Sequence, residues 1–241
     1  MTSAQRPDEA RERRRMVDEN ARRRHHADDR YAPWNPAERL MVDERRRVAA
    51  TLLHVAGVFP DDATPCLEVG FGDGGWLPEL LAWGVAESHL HGAEVDPSRA
   101  AGLHRRLPSA RLLVTGGASL PWRDRSFGLI IASTVFSSIL DDSVRQALAD
   151  EIVRVLRTDG AVVWYDFAID NPRNRQVRGM RDRDVRALFP DLDGTIRRVT
   201  LAPPLARRIA PWSVTAATCL SALPWLRTHR LAVLRKRPLT R

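Results

Sequence analysis

Lysine is almost missing from this chain of 241 residues: Lys236 is the only one. Cysteine occurs twice, at Cys66 and Cys219, and tyrosine twice, at Tyr31 and Tyr165. Two distant cysteines, one in an expected buried strand and one in a late apolar run, exclude a disulfide framework and fit a reducing compartment. No histidine, cysteine and carboxylate spacing suits a closed zinc site, the pairs His25-His26 and His89/His91 included, so no metal is expected. The apolar run Trp212 to Leu226 is too short for a bilayer span and is broken by Pro224. The first residues are charged and lack the apolar segment of a secretory signal, so cytoplasmic residence is the expectation. Acids are missing altogether from Gly194 to Arg241, a stretch with ten basic residues.

What is present fits one α/β domain with appendages, at 44% hydrophobic residues. The net charge is +8 and the pI near 10.8, but arginine is abundant throughout, so charge alone names no partner. The acid-free end is a place for an anionic substrate or for peripheral membrane contact. Residues 1–30 carry charge of both signs and almost no apolar stripe; the reading is a charged tail or solvated helix that a partner or oligomer would order. A domain over residues 31–241 then divides into a cap (31–60), a core (65–168), and a polar loop with a closing strand pair (169–241). In the cap, Leu40, Met41, Val48, Leu52, Leu53 and Val55 fall on one helical face that ends near Gly57.

The core is organised around Cys66-Leu67-Glu68-Val69-Gly70-Phe71-Gly72-Asp73-Gly74-Gly75-Trp76-Leu77, a buried strand, a glycine-rich turn and a helix start. Gly70, Gly72 and Gly75 satisfy a dinucleotide fingerprint, yet Glu68 would repel a pyrophosphate and suits a cationic ligand instead. Strands are expected near 65–70, 90–95, 111–115, 127–133 and 160–166, with helices near 75–83, 97–107 and 141–156. A helix from Asp182 to Phe189 follows, then an antiparallel pair, Thr195–Leu201 and His229–Arg235, with an apolar helix between. In open sheets of this kind the ligand lies beyond the carboxyl ends of the strands.

Glu68-Val69-Gly70-Phe71-Gly72 resembles motif I of the class I S-adenosylmethionine-dependent methyltransferases. His91 to Pro97, with Glu94, is similar to the family's second strand; Gly116 to Trp122, Asp124 and Ser126 to Ile131 resemble the passage into strand four; Val155 to Gly160 is similar to its "VLRPGG" turn. Gly117 and Gly128 depart from the pattern where acids are usual. The resemblance implies a Rossmann-like, seven-stranded, mostly parallel sheet with helices on both faces, and S-adenosylmethionine as methyl donor. It further implies a cofactor site of Glu68, Gly70, Gly72, Glu94, Val95, Ala118, Ser119, Ser133 and Thr134, with Glu94 on the ribose hydroxyls. In the same family N-terminal segments close the pocket, which brings in Tyr31.

Methyl transfer from a sulfonium needs alignment and dryness, and a base only where the acceptor holds its proton tightly. Asp166, at the end of strand five, is the first candidate base and Tyr31 a second; each is equally readable as a structural residue. Phe136, Ser137, Asn171 and Arg178 are candidate acceptor contacts, and Trp34, Trp76 and Trp122 are expected beside the pocket. No Asn-Pro-Pro-Tyr-type motif follows strand four, so no nucleic acid is expected. The looser likeness of Tyr31 to Pro36, Val135 to Asp142 and Trp164 to Phe167 to small bacterial glycan or natural-product methyltransferases favours a sugar, glycan or secondary-metabolite hydroxyl as acceptor. N- or C-methylation and an NAD-dependent oxidoreductase remain as alternatives, the last opposed by the want of a Tyr-Lys pair.

Overall fold

A computed structural model describes residues 7–25, 29–73, 75–116, 118–170 and 174–237. Its seven strands form one sheet: β1 (Cys66–Val69), β2 (Leu90–Glu94), β3 (Arg111–Val114), β4 (Phe127–Ser133), β5 (Leu156–Phe167), β6 (Leu192–Leu201) and β7 (Arg227–Lys236). Their order is β3-β2-β1-β4-β5-β7-β6. β1 to β5 are parallel neighbours, and β7 runs antiparallel to both β5 and β6. The order reverses between β1 and β4, which sets a crevice at their carboxyl ends.

β1 is buried along its whole length because it lies between two strands and under helices on both faces. On one face Leu67, Val69, Ile130 and Trp164 pack against α5 (Asp142–Val155) and α6 (Asp182–Leu188). On the other, Cys66, Leu129, Val163 and Tyr165 meet α2 (Pro36–Val55), α3 (Leu77–Ala82) and α4 (Pro97–His104). The capping chemistry is local: Asn35, Asp96 and Asp141 accept from the first free N–H groups of α2, α4 and α5. α2 stops at Gly57, whose φ of +68° suits a residue without a side chain and whose N–H reaches the His54 carbonyl.

Of the two alternatives for the N-terminal charged segment the helix is observed, α1 (Pro7–His25), held by Glu12 and Arg15 against this chain's own loops. Three expectations are corrected. The turn at 156–160 is a bulge inside a long β5, whose pairing jumps from Phe127↔Leu156 to Leu129↔Ala161. The apolar helix before the last strand is two short ones, α7 (Pro203–Ile209) and α8 (Val214–Ser221), which pack on the first half of α2. Val55, grouped with the buried face of α2, is exposed at its end.

Candidate functional site

The glycine turn follows β1 directly. Gly70 and Gly72 have φ of +68° and +56°, and a Cβ on Gly70 would lie 2.6 Å from Cγ2 of Val135. That close approach brings the end of β1 against the segment after β4, and the Gly70 N–H donates to the Ala93 carbonyl (2.7 Å) on the β2 side. The turn therefore spans the crevice.

Glu94 ends β2 and is buried. One oxygen accepts the Gly72 N–H (2.8 Å), the other those of Val95 (2.9 Å) and Asp96 (3.1 Å). The glycine turn and the end of β2 thus share one carboxylate. Glu68 does something else. Its carboxylate accepts the N–H groups of Trp76 (2.9 Å) and Leu77 (3.0 Å) at the start of α3, and a Cβ on Gly75 would meet its Oε1 at 2.5 Å. Burial pushes it up to about 8 against those donors. The expectation for Glu68 is corrected in direction: its carboxylate turns to the start of α3, and Glu68 shapes the turn.

Asp166 is corrected in the same way. It has no exposed surface; one oxygen accepts the Ser137 N–H (2.9 Å) and the other that of Phe167 (2.9 Å). Burial raises it to about 6. It clamps the segment after β4 to the end of β5. Ser137 is likewise fully buried, and Phe136 is a core residue packed edge-on against Phe189 at 5.6 Å. Ser133 and Thr134 are half-buried at the end of β4; Thr134, at φ +57°, donates its N–H to the Tyr165 carbonyl (2.7 Å).

Ala118 is half-buried against the core, and Ser119 is exposed, its carbonyl accepting from the Thr115 hydroxyl (2.7 Å). Arg178 joins the loop after β5 to the site: its N–H donates to the Ser137 carbonyl (2.8 Å) and its side chain pairs with Asp142 (2.9 Å). Asn171 and Gly117 lie outside the described residues. Tyr31 is exposed beneath the Arg207 guanidinium, 5.6 Å from its ring centre, so it faces α7. Of the three tryptophans, Trp76 is core, Trp34 is exposed, and Trp122 packs on Phe127 at the opposite end of β4.

Three residues were not singled out from the sequence. Arg15 of α1 donates to the Ser138 carbonyl and to Gln176 (2.8 Å), tying together the segments after β4 and β5; Glu12 accepts the Leu140 N–H (2.7 Å). Arg45 of α2 lies over the buried rings of Trp76 (5.8 Å) and Tyr165 (5.5 Å). Tyr165 in turn stacks on His229 at 5.1 Å, with burial the main cause of a His229 value near 3. No local pattern announces such long-range partners. Among the described residues no group of three metal-ligating side chains occurs, and no helix is long and apolar enough to cross a membrane.

Residues 66–160 match the family model described as a methyltransferase domain. No curated protein sequence matches the chain. Among solved structures, the chain is similar to the 1,6-didemethyltoxoflavin-N1-methyltransferase of Burkholderia thailandensis, at 16% identity and a TM-score of 0.65 over 99% of this chain and 93% of that one. A TehB-like SAM-dependent methyltransferase from Corynebacterium glutamicum gives 17% identity and a TM-score of 0.56 over 92% and 98%. The [4+2]-cyclase SpnF gives 14% and 0.55 over 79% and 82%. At these identities the structures bear on fold alone, and the matched domain carries the chemistry. The dinucleotide reading of Gly70, Gly72 and Gly75 falls with it: residues 66–160 are a methyltransferase domain, in a chain with the fold of the class I S-adenosylmethionine-dependent methyltransferases.

Proposed function

We propose that the acceptor is a small molecule carrying a hydroxyl, of sugar, glycan or secondary-metabolite type. The observation that carries this reading is the segment after β4: Ser133, Thr134 and Ser138 are half-buried beside the glycine turn, and small hydroxyls at the end of the crevice suit a compact polar molecule. The likeness to structures named for small-molecule chemistry supports a small-molecule acceptor, without bearing on its hydroxyl.

S-adenosylmethionine supplies an electrophilic methyl group when bound. The residues present fit it: Gly70 and Gly72 give close backbone approach, Glu94 is placed for the ribose hydroxyls, and Ala118 and Ser119 offer backbone to the adenine. Glu68 acts through the turn it shapes. Asp166 is a positioning residue, holding Ser137 and through it Thr134 to Ser138 beside the acceptor. Arg15 and Arg178 hold the neighbouring loop, and the packed walls exclude water. α1, whose outer face is charged, is the surface for an oligomer contact.

The test begins with calorimetric titration by S-adenosylhomocysteine, with NAD and NADP alongside; binding of the first alone is expected. Glycosylated metabolites are then screened with isotopically labelled donor, and the labelled atom is located by NMR. Label on oxygen, lost in the matching deoxy analogue, supports the reading; label on nitrogen or carbon overturns it.

A further inference from the structure

The stretch from Ile209 to Leu226 contains no charged residue, yet it is not a core segment. Of α8 only Ala217 and Ser221 are buried; Val214, Thr215, Ala216, Thr218 and Cys219 face outward. Trp212 precedes this helix at 91% exposure and Trp225 follows it at 72%. Two large indoles left in water at both ends of an uncharged surface helix gain nothing from the fold, since α8 is seated by alanines. Arg207 and exposed Arg208 close the helix just before it. Every ionisable side chain from Gly194 onward is basic or histidine.

Indole rings favour the boundary between water and hydrocarbon, and arginines favour anionic headgroups. We propose that α8, with Trp212, Val214 and Trp225, lies on an anionic lipid surface, the exposed Arg208 of α7 reaching its headgroups. The helix lies in the interface plane, because at eight residues it cannot span. A protein partner with a comparable anionic face is disfavoured, since the outer side of α8 offers it only short side chains and no hydrogen-bonding charge. The inference is independent of the acceptor proposed above.

The test is cosedimentation of the full chain with phosphatidylcholine vesicles and with phosphatidylcholine–phosphatidylserine vesicles, at low and high salt. Binding is expected to the anionic vesicles alone, weakened by salt, with a blue shift of tryptophan emission. The double variant Trp212→Ser, Trp225→Ser is expected to bind them at least about tenfold more weakly. S-adenosylhomocysteine titration, unchanged in that variant, shows that it is folded. Absence of binding to anionic vesicles, equal binding to neutral ones, or native binding by the double variant each overturns the proposal. So does a concentration-dependent dimer, seen by sedimentation velocity, that the double variant abolishes, because a second copy would then cover α8.

Discussion

Two buried glutamates at neighbouring strand ends show how far one side chain's role depends on its partners. Glu68 is committed to the amides of Trp76 and Leu77, whereas Glu94 holds Gly72, Val95 and Asp96 at the crevice. Glu94→Ala is expected to weaken S-adenosylhomocysteine binding by about tenfold or more, the worth of one or two charge-assisted hydrogen bonds, read by calorimetry. Unchanged affinity would remove Glu94 from the ribose site. The buried titratable residues also fix a pH profile. Glu68 is raised from 4.5 to about 8 and Asp166 from 3.8 to about 6, so across those intervals the folded chain binds more protons than the unfolded one and stability falls as pH rises. His229 is lowered from 6.5 to about 3 and His91 from 6.5 to about 4, so stability there is lost as pH falls below 6.5. Above pH 6.5 only the Glu68 contribution among these four is still changing, and urea midpoints should decline toward pH 8. His229→Phe keeps a ring against Tyr165 and removes one titration; between pH 6.5 and 3 its stability should change less favourably toward neutrality than the parent's, the two slopes differing by about 1.4 kcal/mol per pH unit.

At the scale of elements, α1 does more than its composition suggests. Its Glu12 satisfies the Leu140 N–H and its Arg15 caps the Ser138 carbonyl and reaches Gln176. Glu12→Ala leaves a half-buried amide and a guanidinium without their carboxylate, and should cost about 1–3 kcal/mol in urea unfolding. The same change loosens both segments beside the acceptor, so turnover should fall more than S-adenosylhomocysteine affinity; equal losses would mean a global effect. The helical alternative for this segment was in the sequence, but what anchors α1 was hidden because its partners lie more than a hundred residues away and leave no periodic apolar stripe. β4 was legible because a parallel strand buried on both faces is a nearly continuous apolar run, and β1 and β2 through the motifs at their carboxyl ends. The Gly70 to Gly75 turn was legible through its glycines, and Glu94 through its place at the end of β2. Positions survived this reading better than directions did: Asp166 and Ser137 stand where the sequence put them, but the Asp166 carboxylate is taken by the N–H groups of Ser137 and Phe167, and Ser137 is fully buried. Tyr31 was misplaced because the two prolines after it turn the chain toward α7, where Arg207 takes the ring.

At the scale of the whole molecule, the sheet has two halves with different dependence on order of assembly. β1 to β5 pair with parallel neighbours, and the far half exists only through β7, which lies between β5 and β6. A chain stopped after Leu226 loses both ladders of β7, and should show no cooperative thermal transition by circular dichroism. The arrangement has a consequence for biosynthesis. During translation β6 leaves the ribosome before the only strand it pairs with, and the free edge of β5 stays open for the same interval. A nascent chain therefore carries two unsatisfied strand edges, 192–201 and 156–167, until the segment 227–236 arrives to be threaded between them. Slow translation of those last codons would lengthen the time in which neighbouring chains on one message can pair edge to edge, and holdase chaperones would be needed most at that stage.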